Sequence, residues 1–382
     1  MNKLAFLKTM GIILIVISST LWIGLVFVHF LPISAAGKVA VYTAILIIAE
    51  ILFWLGAALA GSELLFKMRK IINPIYWFKR KNGINNNELT REGYIPVTGG
   101  KIWYRIVGAD KKGIPLLVLH GGPGVPHDYL EPLEALSDER PVVFYDQLGC
   151  GNSDKPDSNS LWTTERFVNE LARVRQILKL DKLHILGQSW GSMLAVEYIL
   201  NKKPKLIMSL ILSGPCLSAS LWHRDQRLYL SELPEAIQNT IMESESTGNF
   251  NSEEYQNAMM CFYKLHVCRI EPWPEYLNRS FNKLARNIYE YMWGPSEFTI
   301  TGTLKNYERA DRLKEITIPV LFTCGQYDEA SPSATKYYHS NLPGSEIAIF
   351  EGASHDHHIE KTELYLEKVR NFLNRTEESY RK

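Results

Sequence analysis

Two long apolar stretches open the chain, and shorter ones alternate with polar turns through the rest of it. From Thr9 to Gly37 there is no Asp, Glu, Lys or Arg, and a second apolar stretch runs from Val39 to about Phe66, broken only by Glu50 and Glu63. Each is long enough to cross a hydrocarbon core of about 30 Å at 1.5 Å per residue. Pro32 and Gly37 mark a short connection, so residues 1–70 read as a two-helix transmembrane hairpin meeting the bilayer through residues 9–66. A cleaved signal peptide is the competing reading, but the first apolar core is too long for one and a second follows at once. Ile71 to Glu92, with Asn82-Gly83 and Asn85-Asn86-Asn87, reads as an amphipathic exit and a linker.

After Gly93 the periodicity changes. Lys101–Val107 alternates between glycines and predicts a strand, while Pro115–His120, Pro141–Tyr145, Lys182–Leu186 and Leu206–Leu212 are continuous apolar runs, as strands buried on both faces require. Ile318–Cys324 and Glu346–Phe350 repeat the pattern later. Between them lie helical periods: Thr163–Leu178 with Phe167, Leu171, Val174 and Leu178 on one face, Ser192–Leu200, and Glu363–Leu373 at the end. Strands alternating with helices imply a mostly parallel, doubly wound α/β sheet covered on both faces. From Cys216 to about Asp311 strand-like runs are missing, and the aromatic, charged, helical pattern reads as a cap inserted over one edge of the sheet. The organisation expected is hairpin 1–70, linker 71–92, α/β core 93–215, helical cap 216–310 and α/β core 311–382.

Composition adds orientation and exclusions. The net charge of +1, with 22% charged residues in 382, gives no sign of a nucleic-acid partner. Lys3 and Lys8 precede the first apolar stretch and Lys67, Arg69, Lys70, Lys79, Arg80 and Lys81 follow the second, whereas the connection holds only Lys38. By the positive-inside rule both ends, and the large C-terminal region, face the cytoplasm at a cell membrane. The five scattered cysteines, none at metal-ligand spacing, fit reduced thiols. Glu50, near the middle of the second stretch, is either a functional intramembrane carboxyl or a protonated acid bonded within the hairpin or to another copy.

The chemistry centres on Gly187-Gln188-Ser189-Trp190-Gly191, a sharp turn between a strand and a helix. That context exposes a serine hydroxyl above a sheet edge, and β-carbons at the flanking positions would crowd the crossing. A serine nucleophile needs a base, and the base an orienting carboxylate. Asp328 and His355 each follow a late strand, in that chain order, where the carboxyl ends of parallel strands gather their sites. Glu329 is an alternative to Asp328, and His357 or His358 to His355. The oxyanion needs two N–H donors, one from Trp190 and one from the Gly121-Gly122-Pro123-Gly124 loop, at Gly122. His120 reads as a brace for that loop and Asp146 as a tie for its own. No metal or cofactor is called for.

From about Gly93 to Asn374 the chain resembles the proline iminopeptidase family of α/β-hydrolases. The motifs are His120-Gly121-Gly122-Pro123-Gly124, Asp146-Gln147-Leu148-Gly149-Cys150-Gly151-Asn152-Ser153, Gly187-Gln188-Ser189-Trp190-Gly191 and Gly325-Gln326-Tyr327-Asp328-Glu329. The resemblance implies a serine aminopeptidase acting on short peptides with a free N-terminus, often proline. It also implies that two cap glutamates hold the substrate ammonium, at Glu271 and Glu297 by motif, although both also fit solvated faces of cap helices. An esterase or lipid-acyl hydrolase is the alternative enzyme, and a catalytically silent membrane scaffold the alternative of another class. Asp356-His357-His358 departs from the more apolar segment expected after the catalytic histidine, and so does the hairpin.

Overall fold

The structure, a computed structural model, describes scattered positions between 10 and 28, residues 34–60 and residues 90–380. The chain divides into two compact units, Met1–Asn85 and Asn86–Lys382.

In the first unit, α1 spans Ala35–Ala60. Its start follows from Ser34, whose Oγ accepts from the Gly37 amide at 3.2 Å and satisfies one of the free N–H groups of the first turn. Gly37 therefore lies inside α1, not in the connection where the sequence put it. Ser18 Oγ donates to Ala49 O at 2.8 Å, and Trp54 Nε1 donates to Glu50 Oε2 at 3.0 Å. Among the described residues no helix is long and apolar enough to cross a membrane. The expected transmembrane hairpin is thus not seen, and its first span lies largely outside the described residues.

The second unit is an eight-stranded sheet in the order β1-β2-β4-β3-β5-β6-β7-β8. Its strands are β1 Thr90–Val97, β2 Gly100–Val107, β3 Leu116–Leu119, β4 Val142–Tyr145, β5 Leu183–Gln188, β6 Ile207–Ser213, β7 Val320–Gly325 and β8 Glu346–Phe350. β2 runs antiparallel to β1 and β4, and β3 to β8 are parallel. Every residue of β3, β4, β5, β6 and β7 is buried, which is why they read as unbroken apolar runs. β1 falls partly within the stretch expected as linker. Gly93, Pro96 and two charged residues hide its alternation, and an edge strand tolerates them.

Helices α2 (Thr164–Ile177), α3 (Trp190–Lys202), α9 (Pro332–Ser340), α10 (His357–Glu360) and α11 (Thr362–Ser379) belong to the sheet, while α4 (Ala219–Ser231), α5 (Glu235–Thr247), α6 (Glu253–His266), α7 (Glu275–Asn282) and α8 (Arg286–Met292) lie between β6 and β7. Thr163 starts α2 by accepting from Arg166 N, a cap worth about 1 kcal/mol. The insertion has its own apolar cluster, with Tyr255, Phe262 and Phe298 at its centre. It is also sewn to the sheet. Ala285 N donates to Gly124 O at 3.0 Å and Ser280 Oγ to Pro126 O at 2.7 Å, while the carbonyls of His266 and Val267, at the end of α6, accept from the amides of Glu329, His355 and Asp356.

Candidate active site

Ser189 joins β5 to α3 with φ 53° and ψ −121°, a backbone state that costs a non-glycine residue of order 1–3 kcal/mol. Its surroundings hold it there. The Ser189 amide donates to Ser213 O at 2.9 Å. A β-carbon on Gly187 would lie 2.2 Å from Gly191 O, and one on Gly191 2.2 Å from Leu119 O, so both flanking positions admit only glycine.

The glycine loop sits beside it. Gly122 has φ 106°, and a β-carbon there would lie 2.5 Å from Gly124 N. His120 Nε2 accepts from Gln147 N at 2.9 Å, and burial holds its imidazole down at about 4, so it stays neutral and can accept. Gln147 in turn accepts from Trp190 Nε1 at 2.9 Å. Tyr129 OH donates to Gln188 Oε1 at 2.5 Å and accepts from Gly121 N at 2.8 Å. Asp146 accepts from His127 N at 3.0 Å and Asn152 N at 2.8 Å, and so ties its own loop.

His355 Nδ1 donates to Asp328 Oδ1 at 2.7 Å. Asp328 is fully buried and also accepts from Ala330 N at 2.7 Å and Gly325 N at 3.1 Å. Burial opposes its charge, but the His355 charge and hydrogen bond, backed by His357, outweigh burial and hold the carboxyl at about 2. For His355 burial also opposes charge, but opposing contributions led by the charge and hydrogen bond of Asp328 raise the imidazole above its ordinary value. Gly214 makes room for the ring, since a β-carbon there would lie 2.6 Å from His355 Cε1. The two alternative histidines are occupied: His357 Nε2 lies 2.9 Å from Thr323 Oγ1 and 3.0 Å from Ser213 Oγ, and His358 Nε2 donates to Tyr129 O at 3.1 Å.

One cleft gathers Gly122, Ser189 and His355 with Tyr129, Tyr263, Tyr289, Glu297, Glu329 and Asp356. Glu297 accepts from Tyr289 OH, and burial raises its carboxyl. Glu329 lies with one oxygen 3.6 Å from His355 Nε2 and the other, Oε2, buried without a partner. Burial, then Glu297 and Asp328, push Glu329 well above the carboxylate range. Two acids so placed are stabilised in their charged forms by a cation between them.

Glu271 is not at this cleft. Its side chain is 65% exposed and paired with Lys264. Trp273 Nε1 donates to Cys268 O at 3.0 Å, which folds the Cys268–Trp273 turn so that the indole packs inward and Glu271 faces solvent. Glu329 faces the cleft where sequence expected Glu271. Its position one residue after Asp328 was legible, but only as a substitute for Asp328. Among the described residues no cluster of His, Cys, Asp and Glu is arranged to hold a metal ion.

A family profile for the alpha/beta hydrolase fold matches residues 114–362. The chain is 48% identical over 284 residues to a proline iminopeptidase of Heyndrickxia coagulans, covering 74% of this chain and 98% of that one. It is 40% identical over 287 residues to one of Clostridioides difficile, covering 74% and 98%. Among solved structures, the proline iminopeptidase of Mycobacterium smegmatis superposes with a TM-score of 0.70 at 32% identity, covering 76% of this chain and all of that one.

Proposed function

The chain belongs to the proline iminopeptidase family, a serine aminopeptidase of the α/β-hydrolase fold, and from that premise we propose that it releases the N-terminal residue, proline by preference, from short peptides through an acyl-enzyme on Ser189. His355 takes the Ser189 proton as Oγ attacks the carbonyl carbon of the first residue, and Asp328 holds the imidazole in the tautomer that can accept it. The Gly122 and Trp190 amides stabilise the oxyanion. His355 then protonates the leaving amine, and water, deprotonated by the same imidazole, hydrolyses the ester. The observation that most supports this is the opening of Ser189, His355 and two buried glutamates onto one cleft.

Glu297 and Glu329 receive the substrate's α-ammonium in this scheme. A cation at a set distance from the nucleophile positions only the first peptide carbonyl for attack, which makes cleavage exopeptidic. Glu271 has no part in it.

Residues 1–70 serve as a membrane hairpin with the enzyme on the cytoplasmic side, the residues from 71 up to β1 as linker, 216–310 as cap, and β1 through 215 with 311–382 as the α/β core. The apolar stretches support the anchor, as do the Ser18–Ala49 bond and the exposed Ile47, Ile48, Ile51 and Trp54 of α1. A C-terminal reporter responding in the periplasm or outside the cell would reverse the orientation.

The test is hydrolysis of proline and alanine arylamides beside short p-nitrophenyl esters, by the full chain and by Ser189→Ala. The expected outcome is arylamide turnover that falls by about 10⁶-fold in the variant. Ester turnover alone would favour an esterase.

A further inference from the structure

We propose that Asp356 is a specificity-determining residue, its carboxyl docking the peptide beyond the scissile bond by donating a hydrogen bond to a backbone carbonyl of the second residue. This rests on the aminopeptidase reading above. Asp356 is 2% exposed and lines the cleft, yet the catalytic scheme gives it no role. Its backbone is fixed at both sides: the amide donates to Val267 O at 2.8 Å, and the carbonyl accepts from Ile359 N at 2.7 Å and Glu360 N at 3.0 Å. The side chain is not satisfied by the protein, since Oδ2 is buried without a hydrogen-bond partner. A buried polar atom left unpaired costs about 1–3 kcal/mol, so a group retained in that state beside a reacting centre calls for a partner from outside.

The surroundings decide what that partner is. On its own loop Asp356 meets His355 and Glu360, and across from it stand Asp328 and Glu329. Tyr129 faces it from the sheet side, and Cys268 and Tyr276 from the insertion. His355 is the sole group among these able to carry positive charge, and it is committed to Asp328. Burial first, then Glu360 and Asp328, push the carboxyl up to about 8 against the pull of His355. The group therefore carries its proton at neutral pH and acts as an O–H donor. Peptide carbonyls are the acceptors a substrate brings. Asp356 shares the cleft with both glutamates and is flanked by Tyr129, Cys268 and Tyr276. With the first residue held by the glutamates and its carbonyl under attack by Ser189, the next carbonyl the peptide brings into the cleft belongs to the second residue.

The experiment compares the full chain, Asp356→Val and Asp356→Asn on proline p-nitroanilide, which has no second carbonyl, and on a proline-led tripeptide amide. Asp356→Val is expected to raise KM for the tripeptide about tenfold and to leave the anilide within about twofold. Asp356→Asn, a donor that cannot ionise, keeps tripeptide KM within about threefold. As pH passes about 8 tripeptide KM rises in both proteins because the substrate ammonium loses its proton, and it rises more steeply in the wild type, where the Asp356 donor proton also leaves. Equal losses on both substrates, no loss on either, or an alkaline rise in Asp356→Asn as steep as the wild type's would overturn the assignment. A wild-type chain that cleaves neither substrate breaks the aminopeptidase reading itself. An active wild type with an unchanged tripeptide-to-anilide ratio in Asp356→Val breaks only this one.

Discussion

The floor and the roof of the cleft are built on different physics. The floor is made of strand ends and the loops after them, and the backbone dictates it. Gly187 and Gly191 leave no space for a β-carbon, Ser189 is held at φ 53°, and Gly214 clears the way for an imidazole ring. The roof, α4 to α8, is shaped by which aromatic side chains bury. Glu297 is drawn in because Trp222 Nε1 donates to its carbonyl at 2.9 Å and Tyr289 to its carboxylate, between the buried Trp293 and Phe298. Glu271, proposed on equal motif grounds, faces water. On the floor the spacing of residues dictates where each one stands. On the roof the same residue type in a similar motif lands inside or outside according to its neighbours.

That contrast can be broken, beginning with the floor. Asp328→Asn should lower arylamide kcat by about 10⁴-fold while the protein stays folded, because the amide favours the wrong imidazole tautomer. Gly214→Ala should cost about 10²-fold in kcat by displacing His355, with Tm and circular dichroism checking that the fold persists. On the roof, Glu297→Gln should raise arylamide KM about tenfold or more and leave p-nitrophenyl acetate, which has no ammonium, within about threefold. The acid limb of kcat/KM should lie above the ordinary imidazole value of about 6.5, since the base works only when neutral and His355 is raised. A limb below that value would mean that another group serves as base. Glu271→Gln should change KM by less than about twofold. A larger effect there would erase the distinction between floor and roof.

Six of the eight strands were legible because burial on both faces, or alternation between glycines, leaves an apolar signature that survives without tertiary context, and the edge strand β8 was legible from its run Ile347-Ala348-Ile349-Phe350. β1 was not, since an edge strand carrying Pro96 has no such constraint. Ser189, Asp328 and His355 were legible as candidates because chain order and strand ends limit where such residues can stand. Choosing His355 over His357 needed the hydrogen bonds that commit His357 to Thr323 and Ser213. Glu329 was misread as a rival of Asp328 because adjacency in sequence says nothing about which side of a ring each carboxyl reaches. Only the fold separates them, Asp328 at Nδ1 and Glu329 toward Nε2.

The seams between insertion and sheet carry a mechanical meaning. The end of α6 grips the loops bearing Glu329 and His355, and Ala285 with Ser280 grips the strand-end loop on the opposite side. An arch pinned at both feet keeps its span. The insertion therefore rests on the sheet as a lintel rests on two posts, with the Ser189 turn between them.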